Sequence, residues 1–479
     1  MNYSDFFKMI PEASLVAVLI VLFVADFATA KTEERRWFNP LASVLLLLNT
    51  FVCLLPMEAQ TAFGGMYVTS SAVNVMKAIL SMGTFIVVLQ SRVWAAKGGK
   101  EGEFYMLIVS TLLGMFAMMS AGNFLMFFLG LEMASVPLAC AVAFDMYRKN
   151  SAEAAAKFIL TATFSSGVMI YGISFLYGEF GTLYFADVAA KMQATPLTIM
   201  GLVFFFSGLG FKISLVPFHF WTADTYQGAP TTVTGYLSVI SKGAAAFTLL
   251  SILFHVFGGI MGYWHVLLMI VVVLSITIAN LFAVRQGELK RFMAFSSISQ
   301  AGYIMLAAIG NDWENSVTAL SYYVLIYVVA NMAVFTIISV VEQNNGGKTN
   351  ISDYNGFYRT NPRLSFLMTL AMFSLGGIPP FAGMFSKFFV FMSGVNGADI
   401  NTTMGAWAYA VVFIALVNTV VSLYYYLKIV KAMYIVRTDN PLPAFRSDCN
   451  TKFALAVCMA GILLFGVCSF VYEWIATAA

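Results

Sequence analysis

Long apolar runs separated by short polar connections follow one another along the whole chain. A helix needs about 20 mostly apolar residues to cross a bilayer, and this criterion predicts about fourteen membrane spans. They cover residues 11–30, 41–57, 70–92, 103–120, 122–144, 153–177, 197–220, 230–256, 261–284, 291–310, 315–341, 363–395, 405–430 and 452–475. The twelfth span is too long for one simple helix and contains Gly376, Gly377, Pro379 and Pro380. We therefore predict that helix 12 is broken.

The composition supports this assignment. The 479 residues are 60% hydrophobic and only 10% charged, whereas soluble domains carry roughly 25% charged residues. We therefore predict an all-α polytopic membrane protein. The net charge of +3 is too small to indicate nucleic-acid binding. The five cysteines include no C-x-x-C pair, so they indicate neither a metal cluster nor a disulfide framework.

The first apolar run raises the question of a cleaved signal peptide, because it ends in the small residues Ala-Thr-Ala. A signal peptide carries its positive charge before the apolar run. Here the run contains Asp26, and the positive charges Lys31, Arg35 and Arg36 follow it. We therefore predict a first membrane helix.

The distribution of lysine and arginine predicts the orientation. These residues are concentrated in the connections between helices 1–2, 3–4, 5–6, 9–10, 11–12 and 13–14, whereas the opposite side carries only Lys8 and Lys191. Because cytoplasmic loops carry the excess of positive charge, both termini are predicted to lie outside.

Some lysines fall inside predicted spans: Lys77, Lys157, Lys212, Lys242 and Lys387. A lysine at mid-membrane costs roughly 2.5–3.5 kcal/mol on insertion scales, so each one needs a reason. Snorkelling to the interface is an alternative to function for Lys157 and Lys77, and Lys77 can also belong to a structural ion pair. Lys212 and Lys242 lie near the centres of their helices, where we expect a function.

Two interrupted helices each carry one lysine. Lys212 precedes Pro217 in helix 7, and Lys387 follows Pro380 in helix 12. Broken helices at membrane depth line cavities, and matching interruptions in two halves indicate an inverted-repeat transporter. We predict four regions: helices 1–3 (1–102), a first repeat of helices 4–8 (103–256), a second repeat of helices 9–13 (257–436) and helix 14 (437–479).

The segment FKISLVPFHFW in helix 7 combines Lys212, Pro217 and His219. The proline removes a backbone donor and interrupts the helix, which makes room for water. Removal from water favours the neutral form of an amine, and histidine titrates near neutral pH. This combination predicts a proton relay. The alternative for His219 is an interfacial histidine near the cytoplasmic end.

Glu132, in FLGLEMASVPL, is the acidic residue nearest the centre of a predicted span. An unpaired carboxylate there needs a proton or a cation, and Lys157 on the next helix is the nearest candidate by connectivity. The two differ in depth by roughly 10 Å at 1.5 Å per residue. Direct contact therefore needs a shifted helix boundary or intervening water.

Helix 10 carries FSSISQAGY, in which Ser296 and Gln300 are four residues apart, as are Ser299 and Tyr303. These side chains either hold water between proton stations or join helices by hydrogen bonds. The sequence leaves both interpretations open.

The run GFKISLVPFHFWTADTYQGAPTTVTGYLSVISKGAA, residues 210–245, resembles the antiporter-like subunits of the proton-pumping NADH–quinone oxidoreductase, respiratory complex I. FLGLEMASVPL, KRFMAFSSIS and GGIPPFAGMFSKF agree at the expected spacing, so the resemblance covers nearly the whole chain. The family also includes multisubunit cation/proton antiporters. YQGAP after helix 7, and a lysine rather than a glutamate on helix 12, resemble its subunit N branch.

The resemblance implies a membrane-arm subunit that translocates protons when quinone reduction elsewhere in the complex drives it. It implies no redox cofactor in this chain, with NAD, FMN, iron–sulfur clusters and quinone bound by other subunits. It also implies other membrane-arm subunits as partners in a bacterial inner membrane. The proton-translocating residues that it implies are Glu132, Lys157, Lys212, His219, Lys242 and Lys387, of which the first two correspond to the family's carboxylate–lysine pair.

Gln300 departs from the family pattern, because relatives often have histidine at this position. Glutamine cannot titrate, so a proton step here would have to pass through water. Two other functions stay open: a Na⁺/H⁺ antiporter subunit that works without NADH, and a scaffold whose buried charges hold subunits together.

Overall fold

The computed structural model describes residues 3–29, 35, 37–97, 99–145, 148–468 and 470–478, a part of the chain that is mainly helical. Lys31 and Arg36 lie outside the described residues, as does Ala30 at the end of the first predicted span. The helices are α1 (Ile10–Ala28), α2 (Phe38–Cys53), α3 (Ser71–Lys97), α4 (Glu101–Met119), α5 (Phe124–Val142), α6 (Lys149–Phe180), α7 (Phe185–Ala190), α8 (Pro196–Ile213), α9 (Phe220–Gly228), α10 (Thr231–Tyr236), α11 (Lys242–His255), α12 (Met261–Arg285), α13 (Leu289–Leu306), α14 (Trp313–Asn344), α15 (Phe357–Thr360), α16 (Pro362–Gly376), α17 (Ala382–Val395), α18 (Thr403–Tyr434), α19 (Cys449–Val467) and α20 (Phe470–Ala478). The strands β1 (Gln60–Ala62) and β2 (Tyr67–Thr69) form one antiparallel hairpin.

Twelve helical segments among the described residues are long and apolar enough to cross a membrane. The two remaining predicted spans correspond to the shorter helix α2 and to the pair α16 and α17. The prediction of an all-α polytopic membrane protein is therefore confirmed. The inverted repeats, and the region boundaries drawn from them, stay predictions.

Polar side chains fix where several membrane helices begin. Asn123 accepts a hydrogen bond from the N–H of Met126 at the start of α5, and Thr195 accepts one from Thr198 at the start of α8. These caps satisfy N–H groups of the first turn that have no partner inside the helix.

The helices differ in how much of their apolar surface is covered by other helices. The apolar windows of α13 and α14 are buried completely, whereas only 33% of those of α6 and α18 is buried. A helix that is apolar on all sides and buried lies inside the protein, and the exposed apolar faces suit contact with lipid. The interior formed by α13 and α14 is where Lys242 and Lys387 lie.

The break predicted in helix 7 is present. It extends over several residues instead of bending one continuous helix. Helix α8 ends at Ile213, Ser214 adopts a left-handed conformation with φ 68°, and α9 begins only at Phe220. Pro217 lies within this interruption, which ends the helical hydrogen-bond ladder in the middle of an apolar segment.

The break predicted in helix 12 is also present. Helix α16 ends at Gly376, and Gly377 has φ 85°, a left-handed conformation that glycine adopts without a steric penalty. Pro379 and Pro380 follow before α17 begins at Ala382. Two half-helices therefore occupy the twelfth predicted span.

Candidate functional site

Lys212 lies in the last turn of α8 and is 4% exposed. Its ammonium donates a hydrogen bond to Oγ of Ser135 on α5 at 2.7 Å, and the ring of Phe158 is 5.8 Å away. The C-terminal end of a helix carries partial negative charge, which stabilises a nearby cation. The early end of α8 therefore helps to hold this lysine inside the protein.

The chain between α8 and α9 satisfies part of its backbone locally. The N–H of Leu215 donates to the carbonyl of Gly210 at 2.8 Å, and the N–H of Val216 donates to Oγ of Ser275 at 2.9 Å. His219 follows and is buried at the start of α9. Both interpretations of His219, a relay residue and an interfacial histidine near the cytoplasmic end, stay predictions.

Buried polar side chains without a hydrogen-bond partner cluster between this break and the next lysine. Among the described residues they include Ser214, His219, Thr222, Thr225, Tyr226 and Thr232. Buried polar groups are normally paired with protein or water, and a buried water commonly joins about three such groups. These side chains of residues 214–232 are therefore groups that bound water could pair.

Lys242 directly follows a π-helical turn, Leu237–Ser241, in the membrane helix 231–255. Its ammonium donates to Oγ of Ser297 on α13 at 2.8 Å and lies 5.3 Å from the centre of the Tyr226 ring. Single π-helical turns are rare and are frequent at functional sites. No sequence signal predicted this turn, which changes the helical register just before the lysine.

Lys387 lies on α17 and reaches back across the break to α16. Its ammonium donates to the carbonyl oxygens of Leu375 at 3.0 Å and Gly376 at 3.1 Å. These carbonyls belong to the last turn of α16, where the helix supplies no N–H partner. The Tyr303 ring lies 5.2 Å from the ammonium. Backbone dipoles at a helix end thus stabilise this buried cation.

Gln300 on α13 joins three elements around Lys387. Its amide donates to the carbonyl of Leu375 at 3.3 Å and to the hydroxyl of Tyr426 at 3.0 Å, and its own carbonyl accepts from the Tyr323 hydroxyl. The Leu375 carbonyl therefore accepts hydrogen bonds from both Gln300 and Lys387. The side-chain amide of Gln300 thus joins α13 to α14, α16 and α18 by hydrogen bonds.

The hydrogen bonds extend from Gln300 through Tyr426 to Ser296, although none among the described residues joins Ser296 to Ser297. Ser296 and Tyr426 share a hydrogen bond of 2.5 Å, and Ser296 is adjacent in sequence to Ser297, the partner of Lys242. A cavity of about 10 Å³ beside Gln300 and Lys387 is close to the room that one water needs. Gln300 therefore joins helices and also borders this small space. That the side chains of α13 hold water between proton stations stays a prediction.

The predicted pair of Glu132 and Lys157 is not formed. Lys157 lies near the surface, with its side chain 44% exposed, and its ammonium is 2.7 Å from Glu153 and 2.9 Å from Asp224. Glu132 lies three residues before Ser135 on α5, about one helical turn from the hydroxyl that accepts from Lys212. The prediction used the nearest lysine along the chain, whereas the packing of α5 against the end of α8 brings Lys212 to the same stretch of α5 as the carboxylate.

An ionic cluster surrounds Lys157 at the predicted cytoplasmic side. Asp224 binds Lys157 and is also 2.6 Å from the guanidinium of Arg291. The hydrogen bond from Lys157, with help from Arg291, holds the pKa of Asp224 below its ordinary value. A cavity of about 200 Å³ opens beside Lys157 and Asp224. The Asp224 carboxylate thus stays charged at neutral pH beside an opening with room for several waters.

Lys77 forms a buried ion pair that the sequence left undecided. It is completely buried, and its ammonium lies 2.7 Å from Glu12 on α1. The hydroxyl of Tyr67 donates to the same carboxylate at 3.0 Å. Snorkelling is therefore wrong for Lys77. Glu12 was missed because it lies at the edge of the first apolar run, where a carboxylate is usually solvated.

Comparison with known proteins adds independent information. The family described as "NADH:quinone oxidoreductase/Mrp antiporter, TM" matches residues 121–415. NADH-quinone oxidoreductase subunit N of Phocaeicola vulgatus is 54% identical over the full length of both chains. The subunit N of Azobacteroides pseudotrichonymphae is 47% identical over 100% of this chain and 98% of its own length.

Solved structures resemble this fold over nearly its whole length. A chain of respiratory complex I from Thermus thermophilus with bound aureothin has a TM-score of 0.82 and 29% identity, covering 98% of this chain and 100% of its own. A chain of the Mrp complex from Dietzia sp. has a TM-score of 0.83, covering 98% of this chain and 96% of its own. At 19% identity, the second likeness shows the fold alone.

Proposed function

Because this chain belongs to the family of NADH-quinone oxidoreductase subunit N, the antiporter-like subunits in the membrane arm of respiratory complex I, we propose that it translocates protons. Quinone reduction elsewhere in the complex drives the transfer. This chain holds no redox centre, and NAD, FMN, iron–sulfur clusters and quinone are bound by other subunits. It lies in a bacterial inner membrane beside other membrane-arm subunits, with both termini outside.

The row of Lys212, Lys242 and Lys387 is the observation that carries this proposal. Each ammonium donates to neutral oxygen atoms, namely a serine hydroxyl or backbone carbonyls. Such a lysine can lose its proton without leaving a directly bonded carboxylate unpaired. Lys77 differs, because loss of its proton would leave the buried Glu12 carboxylate without a cation. The three lysines of the row therefore suit proton exchange, and Lys77 suits a structural role.

The groups between the lysines give the proposed route. Water held by the unpartnered polar side chains near His219 connects Lys212 with Lys242, and the polar side chains of α13 connect Lys242 with Lys387. Glu132 supplies a carboxylate one helical turn from Ser135, the residue that accepts from Lys212. Lys157 acts at the opening on the cytoplasmic side, through its contact with Asp224, and not as the partner of Glu132.

A Na⁺/H⁺ antiporter subunit is the second candidate. The matching family description names both NADH:quinone oxidoreductase and Mrp antiporter, so it does not decide between the two functions. Full-length relatives named as subunit N favour the first function. An antiporter would exchange ions without NADH and would respond to sodium.

The test is NADH-driven proton uptake by membrane vesicles that carry the complete complex with Lys212→Ala. NADH–ferricyanide activity reports assembly, because it does not require the membrane arm to pump. Lys191→Ala, which removes an exposed lysine, is the matched control. We expect normal assembly and less proton uptake per NADH in the Lys212 variant alone.

Other outcomes decide between the functions. Unchanged proton uptake per NADH would contradict the proposal, and loss of assembly would favour the scaffold. Proton movement that appears without NADH and depends on sodium would favour the antiporter.

A further inference from the structure

A groove of about 680 Å³ lies outside the lysine row, between the start of α16, the start of α19 and the connection that precedes α19. Its cationic side chains are Arg363, Arg446 and Lys452, all of them exposed. These residues belong to connections that the positive charge distribution assigns to the cytoplasmic side. The cations therefore gather at one membrane surface.

No aspartate or glutamate lines the groove, and within the described residues none of its three cations belongs to an ion pair. The nearest carboxylate along the chain is Asp448. It caps α19 by accepting hydrogen bonds from the N–H groups of Asn450 and Thr451. The positive charge of the groove is thus left available to an outside anion.

Besides the polar residues Thr360, Asn361 and Ser447 near the cations, the groove has an apolar wall that runs towards the bilayer centre. Leu364 and Leu367 of α16 face Leu455 and Met459 of α19 across it. Met459 follows Lys452 by seven residues, which is roughly 10 Å along the helix axis. The groove therefore has cations at the membrane surface and an apolar wall at the depth of acyl chains.

We propose that this groove binds an anionic glycerophospholipid of the cytoplasmic leaflet. Its phosphate contacts Arg363, Arg446 and Lys452, and one acyl chain lies between α16 and α19. Basic pockets between membrane helices on the cytoplasmic side bind anionic headgroups. The apolar wall suits a lipid and not a free phosphate ion, because a free anion would leave this surface uncovered.

The experiment uses the complete purified complex, depleted of lipid and incubated with phosphatidylglycerol that carries a photoactivatable acyl chain. We expect labelling of peptides from α16 and α19. Unlabelled phosphatidylglycerol should compete, whereas phosphatidylcholine and inorganic phosphate should not. This competition needs no variant, so it tests the proposal even if a substitution impairs assembly.

A charge-removing variant supplies the second measurement. Arg363→Gln, Arg446→Gln and Lys452→Gln together should weaken phosphatidylglycerol binding roughly 100-fold, because each cation near the surface contributes to attraction of an anionic lipid. The control replaces three exposed cations elsewhere on the same side: Lys348→Gln, Lys431→Gln and Arg437→Gln.

Three results would overturn the proposal. These are equal competition by phosphatidylcholine, unchanged labelling in the triple variant, and labelling confined to a neighbouring subunit that covers the groove.

Discussion

The ammonium of Lys387 lies 3.0 Å from the carbonyl oxygen of Leu375, across the interruption of helix 12. This contact needs α16 to end early and α17 to begin close to it. Gly377 permits the left-handed turn, and Gly383 permits the close approach, because a Cβ there would overlap the carbonyl of Ser374. The same backbone break thus leaves the Leu375 carbonyl without a helical N–H partner and brings the Lys387 ammonium to it.

Gly377→Ala tests this arrangement. The left-handed φ of 85° would cost alanine about 1–2 kcal/mol, and the added Cβ would lie 3.1 Å from Cδ of Lys387. We expect a lower temperature of subunit dissociation and slower NADH-driven proton uptake. Gly376→Ala is the control, since Gly376 is helical and its Cβ would meet only side chains. Equal effects of the two substitutions would contradict a special role for the turn.

Ser297→Ala tests the contact that holds Lys242. The substitution removes the hydroxyl that accepts from the ammonium at 2.8 Å. A hydrogen bond to a charged group contributes about 1.5–3 kcal/mol, so proton transfer through Lys242 should slow roughly tenfold or more. NADH–quinone activity coupled to proton uptake measures this, with NADH–ferricyanide activity unchanged. Ser297→Thr keeps the hydroxyl and should retain most of the rate; a loss as large as that of alanine would point to packing instead.

Glu12→Gln should affect assembly rather than proton transfer. It leaves the fully buried Lys77 without its carboxylate, and breaking a buried ion pair in this way costs about 3–5 kcal/mol. We expect less assembled complex, measured as subunit content of purified membranes, with normal proton uptake per NADH in what remains. Replacing both residues, Glu12→Leu with Lys77→Met, should recover assembly, because it removes both charges together. Normal assembly but poor pumping in the single variant would place Lys77 among the proton-exchanging lysines.

Features that are determined by residues close together in the sequence, such as the length of a helix or the position of a break, could be predicted. Apolar length predicted the membrane helices, and Pro217 and the Gly-Gly-Ile-Pro-Pro segment predicted where two of them break, because a missing N–H acts locally. Contacts between helices could not be predicted in the same way. Lys157 binds Asp224 instead of Glu132, and the lysine that contacts α5 next to Glu132 is Lys212. This arrangement depends on how α5 packs against α8.

The π-helical turn Leu237–Ser241 and the ion pair of Glu12 with Lys77 illustrate the same limit. The turn, LSVIS, contains residue types that also occur in ordinary helices, so its composition does not mark a change of register. The ion pair joins two helices that are separated by α2 and the hairpin. Neither leaves a local pattern that sequence reasoning can detect.

Asp224→Asn tests whether the ionic cluster takes part in proton exchange. The Lys157 hydrogen bond holds the pKa of Asp224 below its ordinary value of 3.8. The contribution of this carboxylate to stability is therefore complete above that value and is lost as the pH falls through its lower folded pKa. Asp224 stays charged between about pH 6 and pH 8, so the pH profile of proton uptake should keep its shape in the variant. Glu153→Gln, which removes the other carboxylate bound to Lys157, is the control. A displaced profile for Asp224→Asn alone would show that Asp224 exchanges protons during turnover.

Gln300 offers the sharpest test of the link between Lys242 and Lys387. Gln300→Leu removes the hydrogen bonds to Tyr323, Tyr426 and the Leu375 carbonyl, and buried polar groups left unpaired cost about 1–3 kcal/mol each. We expect slower coupled turnover with intact NADH–ferricyanide activity.

Gln300→His should retain turnover, because an imidazole can bond to the same groups, and it should add a pH dependence. Histidine titrates near pH 6.5 in water, and burial at this position disfavours its charged form. The rate should therefore change below roughly pH 6.5 in this variant and not in the parent. If the leucine variant pumps as fast as the parent, protons do not pass along α13. If the histidine variant pumps normally with no new pH dependence, the side chain at this position joins helices but does not exchange protons.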